Sequence, residues 1–162
     1  MLVKDYICHF FEEQNLSHVF GVSGANIEDL YSSIAKSKKT IAVAGTSGKS
    51  TTSAMLYQIL LDAKLEPSII SGAGLTSIIK EGKIGNAAVG KGDWLIIEAD
   101  ESDGSVVQYE PEIGLLLNVD KDHQEIDELI DLFTIFKKNT NSLFIVNQSN
   151  TLAKSLSENS KF

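Results

Sequence analysis

The segment with the clearest chemical potential is a glycine-rich turn that follows a short apolar run. Residues 40–44 are apolar or β-branched, and GTSGKS (residues 45–50) comes directly after them. Glycines let the backbone approach a phosphate closely, and the N–H groups at a helix N-terminus point at that phosphate. Lys49 can bridge phosphate oxygens, and the Ser50 hydroxyl can bind Mg²⁺. The longer form of this motif needs glycine at position 43, where the chain has valine, so the match is to a shortened loop. The alternative is a turn that only caps a helix, and the position between a predicted strand and a predicted helix favours phosphate binding.

Carboxylates follow a second apolar run. Residues 94–98 are predicted to form a buried strand that ends at Glu98, and Asp100, Glu101 and Asp103 come next. Ligands of open α/β sheets bind at the carboxyl ends of the strands, and Mg²⁺ prefers one or two carboxylates plus phosphate oxygens. Glu98 is therefore a candidate metal ligand. The alternative for this segment is a solvated acidic turn.

A third predicted strand, residues 113–119, is also followed by polar groups. Asn118 and Asp120 lie near its end, and Asp122 and His123 come next. His123 is a candidate metal ligand as a neutral imidazole, with Asp122 or Asp120 as its orienting partner. A lone histidine is more often structural or exposed, and we interpret the other two histidines of the chain in that way.

The elements that must position these groups alternate along the chain. Apolar residues at helical spacing predict helices over residues 52–63 and 126–136, and residues 143–146 are predicted to form a strand. Pro67 is predicted to stop the first of these helices. The glycine-rich stretch 71–92 is predicted to form loops around short strands at best. The last dozen residues are predicted to form a frayed polar tail. Such alternation indicates βαβ units. We therefore expect an α/β fold with a mainly parallel sheet and helices on both faces, like a P-loop NTPase.

Composition excludes several classes of protein. The chain has 162 residues, 14 basic and 22 acidic side chains, a net charge of −8 and 43% hydrophobic residues. This charge argues against nucleic-acid and acidic-membrane partners, but not against a nucleotide, which is held by local geometry. A single cysteine excludes an internal disulfide, no apolar run approaches the length of a membrane span, and the first residues make a poor secretory signal. We expect a cytoplasmic protein.

Three segments together resemble the central ATP-binding domain of the Mur ligase family, most closely the branch of UDP-N-acetylmuramate–L-alanine ligases and a murein-peptide-recycling relative. They are GTSGKSTT, GDWLIIEADESDGS and LNVDKDH, and the resemblance covers about residues 39–150. It implies ATP-dependent amide bond formation through an acyl phosphate, with ATP and Mg²⁺ as cofactors and UDP-N-acetylmuramate as a substrate. It implies that Lys49, Glu98 and His123 are catalytic, that Ser50 and Glu98 hold one Mg²⁺, and that His123 holds a second. The residues implied to bind ATP are Gly45, Thr46, Ser47, Gly48, Lys49, Ser50, Thr51 and Asn118.

The chain also departs from the family pattern. Ser47 stands where this branch commonly has histidine or asparagine, and Gln124 and Glu125 lead directly into a helix, so the loop on the substrate side is expected to be shortened. Residues 1–38 resemble instead the start of thiamine-diphosphate enzymes but lack their later motifs. We interpret them as a helix–strand–helix segment that packs on or joins the sheet, and residues 39–162 as a truncated ATP-binding domain.

Three functional hypotheses result from these patterns. The first is the ATP-binding domain of a muramate–amino-acid ligase, which we expect to need the remaining ligase domains as partners and not to ligate alone. The second is a non-catalytic nucleotide-binding or regulatory module. The third, a thiamine-diphosphate protein, fails because its motifs are missing.

Overall fold

The computed structural model describes residues 38–102, 104–121 and 125–158. Within them a six-stranded sheet has the order β3-β2-β4-β1-β5-β6, and all neighbours are parallel except β2 and β3. The strands are β1 (Lys39–Ala44), β2 (Ser68–Ile70), β3 (Ala87–Ala88), β4 (Trp94–Glu98), β5 (Ile113–Leu116) and β6 (Leu143–Val146). The predicted α/β fold with a mainly parallel sheet is confirmed. The predicted helix–strand–helix of residues 1–38 lies, except for Lys38, outside the described residues.

The helices cover both faces of this sheet. They are α1 (Lys49–Asp62), α2 (Thr76–Ile79), α3 (Ile126–Asn139) and α4 (Thr151–Ser155), and Ser105–Gln108 forms a 3-10 turn. Alternate residues of β1 point to opposite faces, as strand geometry requires. Val43 packs in the cluster that contains Tyr57 of α1, while Ala44 packs in the cluster that contains Phe133 of α3. Helices on both faces were predicted and are observed.

The register of the central strands brings the predicted site segments to one edge. Val43 of β1 is paired with Glu98 of β4 on one side and with Leu115 of β5 on the other. Because the three strands are parallel, the segments that follow them all leave the sheet at the same edge. These segments are the glycine-rich turn, the acidic segment and the segment that contains Asn118.

The structure differs from the sequence-based prediction in three places. The predicted strand over residues 113–119 ends at Leu116, and the backbone N–H of Val119 donates to the Asn150 side chain, beyond β6, and not to a neighbouring strand. Helix α1 ends at Asp62, before Pro67, and the chain turns through positive φ angles at Lys64 and Glu66. The glycine-rich stretch contains a one-turn helix, α2, besides the short strand β3.

The prediction of a frayed tail over the last dozen residues was wrong for the described part. Residues Thr151–Ser155 form α4, and the Asn150 side chain caps it by accepting a hydrogen bond from Ala153 N at 2.8 Å. Ala153 and Leu156 are buried in the core that α3 covers. The serine- and lysine-rich composition concealed a short helix whose apolar residues face inward. None of the helices in the described ranges is long and apolar enough to cross a membrane.

Candidate functional site

The phosphate loop, residues 45–48, joins β1 to α1 and has a backbone shape that only glycine accommodates easily. Gly45 has φ +136° and Gly48 has φ +83°. A Cβ atom on Gly45 would lie 3.1 Å from both N and O of Asn118, so a side chain there would be strained and crowded. Gly48 is the N-cap of α1 and provides no capping side chain, and the first turn holds no acidic residue. The positive end of the helix is therefore open to an anionic ligand.

Asn118, just beyond β5, holds the phosphate loop in place. Its Oδ1 accepts hydrogen bonds from Thr46 Oγ1 at 2.8 Å and from Ser47 N at 2.9 Å, and its Nδ2 donates to Ser47 O at 2.9 Å. Thr46 Oγ1 in turn accepts from Asp120 N at 3.1 Å. Asn118 was predicted to bind the cofactor, and the structure places its amide group on the backbone and side chains of the loop.

Lys49 extends along the loop toward the acidic segment. Its Nζ donates to Gly45 O at 2.9 Å and to Glu101 Oε2 at 2.8 Å, and it lies 4.0 Å from Asp100 Oδ1. The side chains of Lys49 and Glu101 are 17% and 6% exposed, so this ion pair is largely shielded from water. The sequence identified Glu101 only as one of several carboxylates after β4. Its pairing with Lys49 depends on β4 lying beside β1, which the local pattern does not indicate.

Glu98, at the end of β4, lies between two serine hydroxyls. Ser50 Oγ donates to Glu98 Oε2 at 3.0 Å, and Ser71 Oγ donates to Oε1. A Cβ atom on Gly72 would come within 3.3 Å of Oε2, so the glycine leaves space beside the carboxylate. Ser50 and Glu98 were predicted to act together and are in contact. Ser71 was missed, because one serine in a glycine-rich stretch carries no recognisable signal.

The Ser50–Glu98 pair has the chemistry that Mg²⁺ selects. Both groups offer oxygen ligands, and Mg²⁺ typically takes one or two protein ligands and completes its octahedron with water and phosphate oxygens. In the ranges that the structure describes, no group of three or more histidine, cysteine, aspartate or glutamate side chains is placed to hold a metal ion. The Ser50–Glu98 oxygen pair fits the partial ligand set that Mg²⁺ takes when it also binds phosphate oxygens. His123 and Asp122, the other predicted metal-site residues, lie outside the described residues.

A cleft of about 510 Å³ adjoins this pair. One wall is the start of α1, including Ser50 and Thr51, and the other is the segment from Ser71 to Ser77. The cleft therefore opens beside Ser50, at the start of α1.

Comparisons with known proteins agree with this geometry. The family model for the Mur ligase middle domain matches residues 43–161. The chain belongs to the Mur ligase family. The UDP-N-acetylmuramate–L-alanine ligase of Nostoc punctiforme is 42% identical over 130 residues, which are 78% of this chain and 24% of that protein. The chain thus spans about a quarter of the length of this curated Mur ligase.

Solved Mur ligases share the fold. The UDP-N-acetylmuramate–alanine ligase of Thermotoga maritima superimposes with a TM-score of 0.69 and 25% identity, over 81% of this chain and 30% of that one. The MurF ligase of Thermotoga maritima, solved in complex with ADP, gives a TM-score of 0.53 and 21% identity, over 84% and 39% of the two chains. The resemblance to a Mur ligase central domain that the motifs indicated is therefore confirmed. The individual site residues remain predictions.

Proposed function

We propose that this chain is the ATP- and Mg²⁺-binding domain of a ligase that forms an amide bond on UDP-N-acetylmuramate or a related muramyl carboxylate. The observation that carries the proposal is the convergence of three features at one sheet edge. These are an uncapped helix N-terminus behind a glycine loop, the Lys49 ammonium group, and the Ser50–Glu98 oxygen pair. The names of the matched ligases and the ADP in one structural neighbour support the same assignment.

Each group has a role that its position supports. The loop N–H groups and the start of α1 would bind the phosphates, and Lys49 would contact the β- and γ-phosphate oxygens. Ser50 and Glu98 would hold Mg²⁺, which when bound neutralises charge on the phosphate oxygens. His123 would bind a second Mg²⁺ and be the third catalytic residue.

A polypeptide of residues 1–162 is expected to bind ATP without forming the amide at an appreciable rate. Amide formation requires the carboxylate, the amine and the nucleotide to be held together away from water. In this proposal the described residues would form the nucleotide side of such a site, and further ligase domains would supply the rest.

A non-catalytic nucleotide-binding module is the second candidate. The ion pair between Lys49 and Glu101 favours it, because the charge of the phosphate-loop lysine is already balanced within the chain. Release of inorganic phosphate from ATP in the presence of UDP-N-acetylmuramate distinguishes the two functions. On a protein that also contains the proposed further domains, and with an amine acceptor present, release that depends on this substrate supports the ligase, and binding of ATP without release supports the module.

The direct test is a calorimetric titration of the 162-residue protein with ATP and Mg²⁺. Replacing Lys49 by Met removes a charge-assisted contact to phosphate, typically about 1.5–3 kcal/mol, so ATP should bind about 10- to 100-fold more weakly. Lys91→Met is the matched control, because Lys91 is an exposed residue just before β4, at the opposite end of that strand from Glu98. An unmodified protein that gives no heat and no thermal shift at millimolar ATP would refute the proposal.

A further inference from the structure

The carboxylate of Glu98 is held by two different hydroxyl groups, one on each oxygen. Ser50 Oγ contacts Oε2 and Ser71 Oγ contacts Oε1. Among the described residues, these two hydroxyls donate hydrogen bonds to that carboxylate. Ser50 is the residue proposed to bind Mg²⁺, so its hydroxyl would turn a lone pair toward the metal and release Oε2. The hydrogen bond from Ser71 would then be the one that remains on the carboxylate.

Sheet register makes the contact with Ser71 a fixed feature of the fold. Ile70 of β2 is paired with Ile97 of β4, so the next residues on the two strands, Ser71 and Glu98, lie side by side at the strand ends. Ser71 is only 6% exposed, so water competes little for its hydroxyl. The backbone of position 71 is held as well, since Ser71 N donates to Asn86 O at 2.8 Å.

The direction of the hydrogen bond follows from the groups involved. A hydroxyl has one proton and two acceptor lone pairs, and an ionised carboxylate only accepts. Ser71 Oγ also accepts a hydrogen bond from Ala73 N at 3.2 Å, which occupies a lone pair and not the proton. The single proton of Ser71 is therefore directed at Glu98 Oε1, and Oε2 is the oxygen left for the metal.

We propose that Ser71 is a positioning residue for the metal site: it orients the Glu98 carboxylate so that Oε2 and the Ser50 hydroxyl bind the cation together. This inference rests on the proposed function. Removing a hydrogen-bond partner of a metal ligand typically lowers metal affinity about 10- to 100-fold. Because Ser71 contacts Glu98 and not the phosphate loop, its removal should affect nucleotide binding only when the metal is present.

The experiment measures how strongly Mg²⁺ tightens ATP binding. The dissociation constant of ATP is determined by calorimetry on the 162-residue protein in Mg²⁺ and again in EDTA, and the ratio of the two values is the metal effect. Ser71→Ala should reduce the metal effect about 10- to 100-fold while changing the EDTA value less than about twofold. Ser71→Thr keeps a hydroxyl and should restore most of the metal effect.

Ser68→Ala is the matched control for loss of a buried serine. Ser68 is the first residue of β2, the strand that Ser71 follows. It is 4% exposed, and its Oγ accepts a hydrogen bond from Gly90 N at 3.1 Å. Its removal should lower the melting temperature and leave the metal effect unchanged. Ser71→Cys fills nearly the same volume with a weak donor, and it replaces Ser71→Ala if the alanine variant does not fold.

The outcomes separate this inference from the function on which it rests. A wild-type protein that binds no ATP with or without Mg²⁺ would refute the proposed function. A wild-type protein with a clear metal effect, combined with a Ser71→Ala or Ser71→Cys variant that keeps it within about threefold, would overturn the role of Ser71 alone. A Ser71→Thr variant as defective as Ser71→Ala would also overturn it, because the hydroxyl would then not be the group that matters.

Discussion

The ion pair between Lys49 and Glu101 allows stability and nucleotide binding to be separated by mutation. Lys49 Nζ lies 2.8 Å from Glu101 Oε2, and the same nitrogen is the group proposed to contact phosphate. Lys49→Met removes the ammonium group and keeps most of the aliphatic stem. Glu101→Gln keeps the shape of the partner and removes its charge. The two single variants and the double variant form a thermodynamic cycle.

The structure sets the size of the expected effect on stability. Removing one partner of a fully buried ion pair costs about 3–5 kcal/mol, and an exposed pair is worth at most about 1 kcal/mol. With side chains 17% and 6% exposed, this pair falls between those limits. We expect Lys49→Met to lower the free energy of unfolding by about 2 kcal/mol, or about 4–8 °C in melting temperature for a chain of this size. The cause is a buried carboxylate charge that has lost the Lys49 ammonium group.

Adding Glu101→Gln to Lys49→Met should recover at least about half of that loss, because the charge to be compensated is gone. ATP affinity should behave differently. The double variant should still bind ATP more weakly than the wild type, since it lacks the ammonium group, but more tightly than Lys49→Met, in which the Glu101 carboxylate repels the phosphates. Glu101→Gln alone should bind ATP more tightly than the wild type, because Lys49 no longer has to leave a carboxylate to contact phosphate.

Thermal unfolding and ATP titration on the same four proteins test this reasoning. A double variant less stable than Lys49→Met would show that Glu101 stabilises the fold by some means other than its pairing with Lys49. Full wild-type ATP affinity in the double variant would show that Lys49 is not the phosphate contact. Weaker ATP binding by Glu101→Gln would mean that the pair orients Lys49 for the nucleotide instead of competing with it.

Two further predictions concern the phosphate loop. Gly45→Ala should lower stability and ATP affinity more than Gly82→Ala. Both positions have positive φ angles, but of the two only a Cβ at position 45 would meet neighbours within 4 Å. Equal losses of stability in thermal unfolding would contradict the crowding against Asn118. Asn118→Ala removes three hydrogen bonds to the loop, so it should lower the free energy of unfolding by about 1–3 kcal/mol and weaken ATP binding. Asn118→Asp should have an intermediate effect, because it keeps the acceptor for Thr46 and Ser47. An Asn118→Ala variant that binds ATP like the wild type would show that the loop holds its shape without the amide.

The parts of the fold that the sequence predicted are those with strong local signals. The loop between β1 and α1 was recognisable from its order of glycine, lysine and serine after an apolar run. Residues Leu143–Val146 were predicted as a strand and form β6. Helix α3 begins at Ile126, which is also the first residue of the predicted apolar stripe. In each case the information lies within a few consecutive residues.

The contacts that complete the candidate site could not be predicted in this way, because strand order decides them. Ser71 reaches Glu98 only because β2 lies beside β4, and the two residues are 27 positions apart. Glu101 reaches Lys49 across 52 positions. Periodicity indicates that strands exist and where they end, but not which strands are neighbours. Helix α4 was missed for another reason: the polar composition of the last dozen residues was interpreted as a frayed tail, and the cap that Asn150 provides was not recognised.

The position of β1 between β4 and β5 gives the phosphate loop two chemically different flanks. The flank after β4 carries charge, in Glu98 next to Ser50 and Glu101 next to Lys49. The flank after β5 is neutral at its contact with the loop, where the amide of Asn118 bonds to residues 46 and 47.

These flanks predict two patterns of failure. Loss of the neutral flank changes the shape of the loop, so it should weaken ATP binding equally in Mg²⁺ and in EDTA. Loss of the Glu98–Ser71 contact on the charged flank should weaken binding only in Mg²⁺. The ratio of the two dissociation constants therefore reports which flank a substitution has damaged, and an Asn118→Ala variant with a selectively reduced metal effect would contradict this division of roles.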